Sequence, residues 1–217
     1  MINKQYGELP TVIDTIDIKC NEIMCYQYMP IKLANKPCMT GYVEERLWLF
    51  NDLIIKAITD YITQFGEDNY NKQYIYLTVK HRYQSKDNPL NRIGYHSDGF
   101  GTDDINYIWY DKNPTIFNES NFNLSNDHNK SLIEMNEQAL PHFETTYPVN
   151  TLLRLNQYCI HKVNTDNIEE GMRTFVKISF SKDKYDLIGN THNYKLDYRW
   201  EMKPRNKDRN VPQSIIS

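Results

Sequence analysis

Arg173-Thr-Phe-Val-Lys-Ile-Ser-Phe180 is a strand written with a period of two. Successive side chains of a strand alternate across it, so Thr174, Val176, Ile178 and Phe180 face one way and Arg173, Phe175, Lys177 and Ser179 the other. Upstream, beyond a polar turn at 164–171, stands Thr151-Leu-Leu-Arg-Leu-Asn-Gln-Tyr-Cys-Ile-His161-Lys-Val163, which reads as one strand joined to the first in a hairpin. Tyr74 to Tyr83 reads as another, with Ile75, Leu77 and Val79 on a single face, and Ile105 to Tyr110 as a further one. Arg92-Ile-Gly-Tyr-His96 is a short strand running into Ser97-Asp98-Gly99-Phe100-Gly101. The 17 tyrosines suit strand-rich structure. These runs predict a mainly β fold with flanking helices.

The remaining segments fill in around that frame. Thr11 to Tyr28 alternates loosely and predicts one or two strands, and 29–39, with Pro30 and Pro37, reads as a loop. Val43, Leu47, Phe50, Ile54, Ile58, Tyr61 and Phe65 form one apolar stripe of a helix over 42–65. Thr40 is placed to cap its start and Gly66 to stop it. The stretch 118–131 reads as a polar surface loop, 132–148 as one or two short strands, and the chain after Ser181 as a polar, aromatic wrap ending in a frayed tail over 204–217. Length and the lack of any repeat predict a single domain over 1–217 with its core at about 74–181.

Chemistry concentrates at His96-Ser-Asp98, at His161 and at Arg173. Residues two apart on a strand share a side, so His96 and Asp98 can reach one ion, and Gly99 and Gly101 let the chain turn away. A third ligand, His161, is expected from a strand closing beside the first. Two imidazoles and one carboxylate can occupy one face of an octahedral metal and leave the other open. Arg173 supplies a forked cation suited to a carboxylate.

His96-Ser-Asp98, His161-Lys-Val163 and Gly171-Met-Arg173 leading into an apolar strand resemble the Fe(II)/2-oxoglutarate-dependent dioxygenase superfamily, over roughly Tyr74 to Ser181. The resemblance implies a distorted double-stranded β-helix, a jelly-roll or cupin-like barrel. It implies Fe(II) held by His96, Asp98 and His161, which would be both metal ligands and catalytic centre. It implies 2-oxoglutarate held by Arg173, O2 as oxidant, ascorbate as a supporting reductant, and release of succinate and CO2. Tyr83 and Tyr107 are expected to hydrogen-bond the cosubstrate carboxylate. Many members place a small hydroxyl residue two positions after the arginine. Phe175 stands there, so the pocket is expected to be narrower or differently bonded, with Lys177 as a further contributor.

Two other classes fit the same residues: a non-catalytic metal-binding barrel, and a cupin-like metalloenzyme that does not use 2-oxoglutarate. His81, His128, His142 and His192 read as ordinary hydrogen-bonded histidines. Cys20, Cys25, Cys38 and Cys159 show no paired spacing and read as free thiols. Formal net charge is −3, which gives no global basic field. The basic runs Lys80 to Arg92 and Lys203 to Arg209, with aromatics near them, favour a macromolecular primary substrate, a protein side chain or a nucleobase. No secretory signal and no run long enough to span a bilayer is read, which places the chain in the cytoplasm. An Asn-, Lys-, Ile- and Tyr-rich composition suits an AT-rich genome, and the cytoplasm would be the host's if that genome is viral.

Overall fold

The computed structural model describes residues 6–38 and 40–205; positions 206–217, most of the expected frayed tail, lie outside the described residues. Two antiparallel sheets carry the fold. The larger has six strands in the order β1 (Thr11–Thr15), β8 (Thr151–Leu155), β5 (Ile105–Tyr110), β10 (Gly171–Ser181), β3 (Tyr74–Gln84) and β2 (Met24–Lys32). The smaller has four: β4 (His96–Ser97), β9 (Ile160–Lys162), β6 (Ile116–Asn118) and β7 (Glu144–Thr146).

The alternating strand at 173–180 lies inside the large sheet. β10 pairs with β3 along its whole length and with β5 on its other side. Its apolar face, Val176, Ile178 and Phe180, joins Ile75, Leu77 and Val79 of β3 in one core. That core is closed by helix α1 (Asn51–Phe65), whose Leu53, Ile54, Ala57, Ile58 and Tyr61 are buried. Tyr61 stacks on Phe180 with ring centroids 4.2 Å apart. Each large side chain so buried contributes about 1.5–3 kcal/mol relative to exposure. The apolar stripe is thus a packing face, as its spacing predicts. Its first turns, Glu45–Phe50, wind as a 3-10 helix without a side-chain cap, so Thr40 does not cap it, while Gly66 at φ 85° ends α1.

The opposite face of the large sheet packs against the small sheet. Ile108, Tyr110, Leu153 and Leu155 meet Phe117 and Cys159 there, with Phe175 against them. The polar and charged members of β10 therefore point between the sheets.

Other expectations change as well, beginning with the strand expected at 92–96, of which only His96 is in β4. The run from Thr151 to Val163 is two strands in different sheets, because the chain turns at 156–159. Asn156 Oδ1 accepts the Tyr158 N–H at 2.9 Å and its carbonyl accepts the Cys159 N–H at 3.2 Å, an Asx-type turn inside an apolar run. Consequently β9 and β10 form no hairpin: β9 pairs with β4 and β6. Strand β2 runs on through Pro30 to Lys32, which its place at the sheet edge allows. Finally, 128–138 is helix α3 (His128–Gln138), started by Asp127, whose carboxylate accepts the Asn129 and Lys130 N–H groups, and only β7 is left of the short strands expected at 132–148. A short helix, α2 (Glu67–Lys72), follows α1. Beyond Ser181 the chain wraps the sheet as expected, with Tyr185 stacked on Tyr76 at 4.1 Å and Trp200 edge-on to Tyr74 at 5.7 Å. Among the described residues no helix is long and apolar enough to cross a membrane.

Candidate metal centre

β4 and β9 pair so that His96 stands directly opposite His161. Directly paired residues of an antiparallel ladder share a face, so the register alone brings both imidazoles together, with ring centroids 4.5 Å apart. Asp98 follows two residues after His96 where the chain leaves the strand. Gly99 makes that exit at φ 75°, and a Cβ there would lie 2.9 Å from both Asp104 Cβ and Thr102 Oγ1. Donor atoms of His96, Asp98 and His161 all lie within 4.8 Å of one another.

The histidines are oriented from behind. His96 Nδ1 bonds the Gly94 carbonyl and His161 Nδ1 the Cys159 carbonyl, each at 3.0 Å. A carbonyl can only accept, so each Nδ1 carries the proton and each Nε2 offers its lone pair forward. Burial pushes the His96 imidazole down to about 3, with the neighbouring His161 adding to it, and burial lowers His161 too. Burial works against the Asp98 charge, but the Lys177 ammonium, which also donates a hydrogen bond to it, leads the effects that outweigh burial and hold the carboxyl well below the usual range. Two neutral imidazoles and an ionised carboxylate are the protonation states a metal requires.

The triad opens onto a cavity of about 450 Å³ between the sheets. Its wall from the large sheet is the polar face of β10 with its partners: Phe175 beside Lys80, and Lys177 beside Thr78 and Ile108. Lys177 Nζ lies 3.0 Å from Asp98 Oδ2 and 3.4 Å from the Tyr28 hydroxyl. Burial disfavours its charge, yet Asp98 and Tyr28 raise its pKa above the ordinary lysine value. Lys80 Nζ donates to the Leu90 carbonyl at 2.9 Å. Burial pushes it down to about 8, and the cations Lys177, Arg173 and Arg82 contribute.

The other expected site residues stand elsewhere. Arg173 is buried on the same face of β10, but its Nε donates to the Lys112 carbonyl at 2.7 Å and its Nη2 to the Asn113 carbonyl at 3.2 Å. It does not line the cavity. Burial lowers it to about 10, and it remains a cation behind Phe175, over whose ring it sits at 5.3 Å. Tyr107 points to the helix side, donating to Asp60 Oδ2 at 2.7 Å, and Tyr83 is exposed. Neither reaches the cavity. His81 bonds Thr174 Oγ1 at 2.9 Å, His142 lies beside Phe143, and His192 lies tilted against Tyr198, while His128 reaches the cavity rim. The four cysteines are free thiols.

Three contributors were not singled out from sequence. Lys80 was legible in principle, since it falls on the non-apolar face of β3. Tyr28 carried no signal: it sits at φ 46° in a strand. Asn136 of α3 pins the backbone of Tyr95, accepting its N–H at 2.8 Å and donating to its carbonyl at 3.1 Å, which fixes the residue before His96. Comparison of the chain with protein-family models and with curated proteins finds no match.

Proposed function

We propose that this chain is a non-haem Fe(II)/2-oxoglutarate-dependent oxygenase, a hydroxylase of a macromolecular substrate, and that its two sheets are the halves of a distorted double-stranded β-helix. The observation that carries the reading is the convergence of His96, Asp98 and His161 from registered strands onto a cation-lined cavity. The donor set fits the metal: two forward-facing Nε2 atoms and one carboxylate leave a face open for cosubstrate and O2. When bound, Fe(II) would supply oxygen activation coupled to oxidative decarboxylation of 2-oxoglutarate to succinate and CO2.

The chain's own residues do the positioning. Lys80 is the proposed partner for the far carboxylate of 2-oxoglutarate: it lines the cavity, and among the described residues it has no carboxylate partner. Arg173 adds positive field from behind Phe175 instead of direct contact. Phe175 and Ile108 exclude water from the wall opposite the triad. The volume suits a five-carbon diacid with a protruding substrate group, since small-molecule pockets run to about 300–1,000 Å³. Asn91 and Arg92 bring the polar loop after β3 to the cavity mouth, where a polypeptide or nucleic acid strand would lie. A second reading, a metal-binding barrel that does not use 2-oxoglutarate, draws on Arg173, whose guanidinium is committed to backbone carbonyls.

Succinate release separates the two. With Fe(II), ascorbate, O2 and 2-oxoglutarate, the wild-type chain is expected to form succinate slowly and His161→Ala none. Metal binding without succinate above a metal-free control would leave the second reading standing.

A further inference from the structure

Lys177 stands where the charge of a metal belongs. Its ammonium lies 3.0 Å from Asp98 Oδ2, the same oxygen that faces His161 Nε2 at 3.8 Å. The lysine side chain is 9% exposed and that of Asp98 21%, so water screens the pair weakly. Lys80 and Arg173 lie on the same face of the sheet and add two more positive charges nearby. Of the other acids lining the cavity, Asp104 accepts the Tyr185 hydroxyl at 2.6 Å, Asp186 pairs with Lys203 at 2.7 Å, and Asp183 is exposed to water. Asp98 is thus the carboxylate that both Lys177 and an incoming ion must share.

We propose that Lys177 is an internal counter-ion for Asp98 that a divalent metal must displace, so that it holds resting metal affinity low and couples metal uptake to the arrival of an anion in the cavity. The inference rests on the reading above only in taking His96, Asp98 and His161 as the ligands. Without metal, the ammonium pairs with a carboxylate that is largely withdrawn from water and would otherwise lack a directly bonded cation. With metal, two cations compete for one carboxylate at a few ångströms' separation. An anion entering beside Lys80 offers the Lys177 ammonium a second acceptor and relieves that repulsion. Linkage then requires the anion to raise metal affinity by the same factor as the metal raises anion affinity.

The test is calorimetric titration with Mn(II), with and without glutarate, a dicarboxylate that lacks the 2-oxo group and so cannot form the five-membered chelate. Wild type is expected to bind Mn(II) several-fold more tightly with glutarate present. Lys177→Met is expected to bind it about tenfold more tightly than wild type without glutarate, within the usual range of coupling between sites, and to lose the glutarate dependence. Lys177→Arg, which keeps the charge, is expected to behave like wild type. Should Lys177→Met fold poorly, Lys177→Gln serves, read as a larger Mn(II)-induced rise in melting temperature than wild type shows. Mn(II) affinity in the methionine and glutamine variants equal to or below that of wild type overturns the proposal. If His161→Ala abolishes Mn(II) binding in that same series, the triad stands and the counter-ion role alone falls. If wild type binds no Mn(II), or binds it unchanged in His161→Ala, the ligand assignment fails and takes this inference with it.

Discussion

The two faces of β10 show what each side of the large sheet is for. Toward α1 the strand presents Val176, Ile178 and Phe180, packed with the apolar face of β3 and the helix. Toward the small sheet it presents Arg173, Phe175, Lys177 and Ser179, with Ser179 Oγ bonding Asn106 Oδ1 at 2.6 Å. The first face gains free energy by leaving water. The second buries three charged or polar groups, which costs stability unless every one finds a partner. A sheet that needed only to fold would be apolar on both sides. The buried cations and the carboxylate beside them are what a ligand site requires, and the packing on the other face offsets their cost.

Breaking the helix-side face has the largest expected effect. Phe180→Ala removes the ring stacked on Tyr61 and leaves a cavity in the core, so a loss of about 3–5 kcal/mol is expected in urea denaturation. Mn(II) affinity of the folded fraction should stay within about twofold of wild type, as expected for distant, independent sites. A parallel collapse of metal affinity would mean that the two faces are not separable.

His161→Ala is the opposite experiment. The imidazole points into the cavity, so its loss should cost little stability while lowering metal affinity by more than the ~10–100-fold that removing outer-shell partners costs. Calorimetry reads the second quantity and denaturation the first. A variant that loses much stability while its folded form keeps wild-type metal affinity would show His161 to be a core residue.

Arg173→Lys falls between the two. An ammonium cannot reproduce the fork that bonds the Lys112 and Asn113 carbonyls, and one buried acceptor left unpaired costs about 1–3 kcal/mol. The loss is expected in denaturation, with dicarboxylate affinity changed less than by substitution of Lys80. A large affinity loss at unchanged stability would restore Arg173 as the direct carboxylate partner.

Much of this was legible in the sequence where pattern and physics are local. The alternation at 173–180 and at 74–83 predicts both faces of the sheet, because pleating forces it. The triad was legible because His96 and Asp98 are two apart on an extended chain. The pairing of His161 opposite His96 could be expected in kind, though not its route. Asn156 carries an Asx turn inside an apolar run, so the chain changes sheets where periodicity sees one strand. Helix α3 was hidden by its polarity: Ser131 and Met135 are its buried residues, and Asp127 as a cap was its clearest sign. The fate of Arg173 depends on which carbonyls the β5–β6 turn presents to it, a tertiary fact. Tyr83 has the parity of Ile75, Leu77 and Val79, so alternation already set it on the face away from Lys80, whereas the face taken by Tyr107 is decided only when the helix packs on the sheet.

The smallest expected effect is the most specific to the charged face. Lys80 is held down to about 8 by burial with help from neighbouring cations, and only its protonated form can pair with a carboxylate. Binding of a dicarboxylate to the metal-loaded chain should therefore be nearly flat below about pH 8 and weaken above it. The sign follows from linkage: a ligand that prefers the protonated form loses affinity as that form titrates away, by at most about tenfold per pH unit for one proton. Lys80→Met should bind the dicarboxylate about tenfold more weakly at pH 7, the worth of one charge-assisted hydrogen bond, and show no fall between pH 7 and 9. Titrating both proteins by calorimetry across that range decides the matter. A fall that persists in Lys80→Met places the titrating group elsewhere. A flat wild-type profile would mean that the anion does not seek Lys80, and that the charged face of β10 is balanced wholly within the protein.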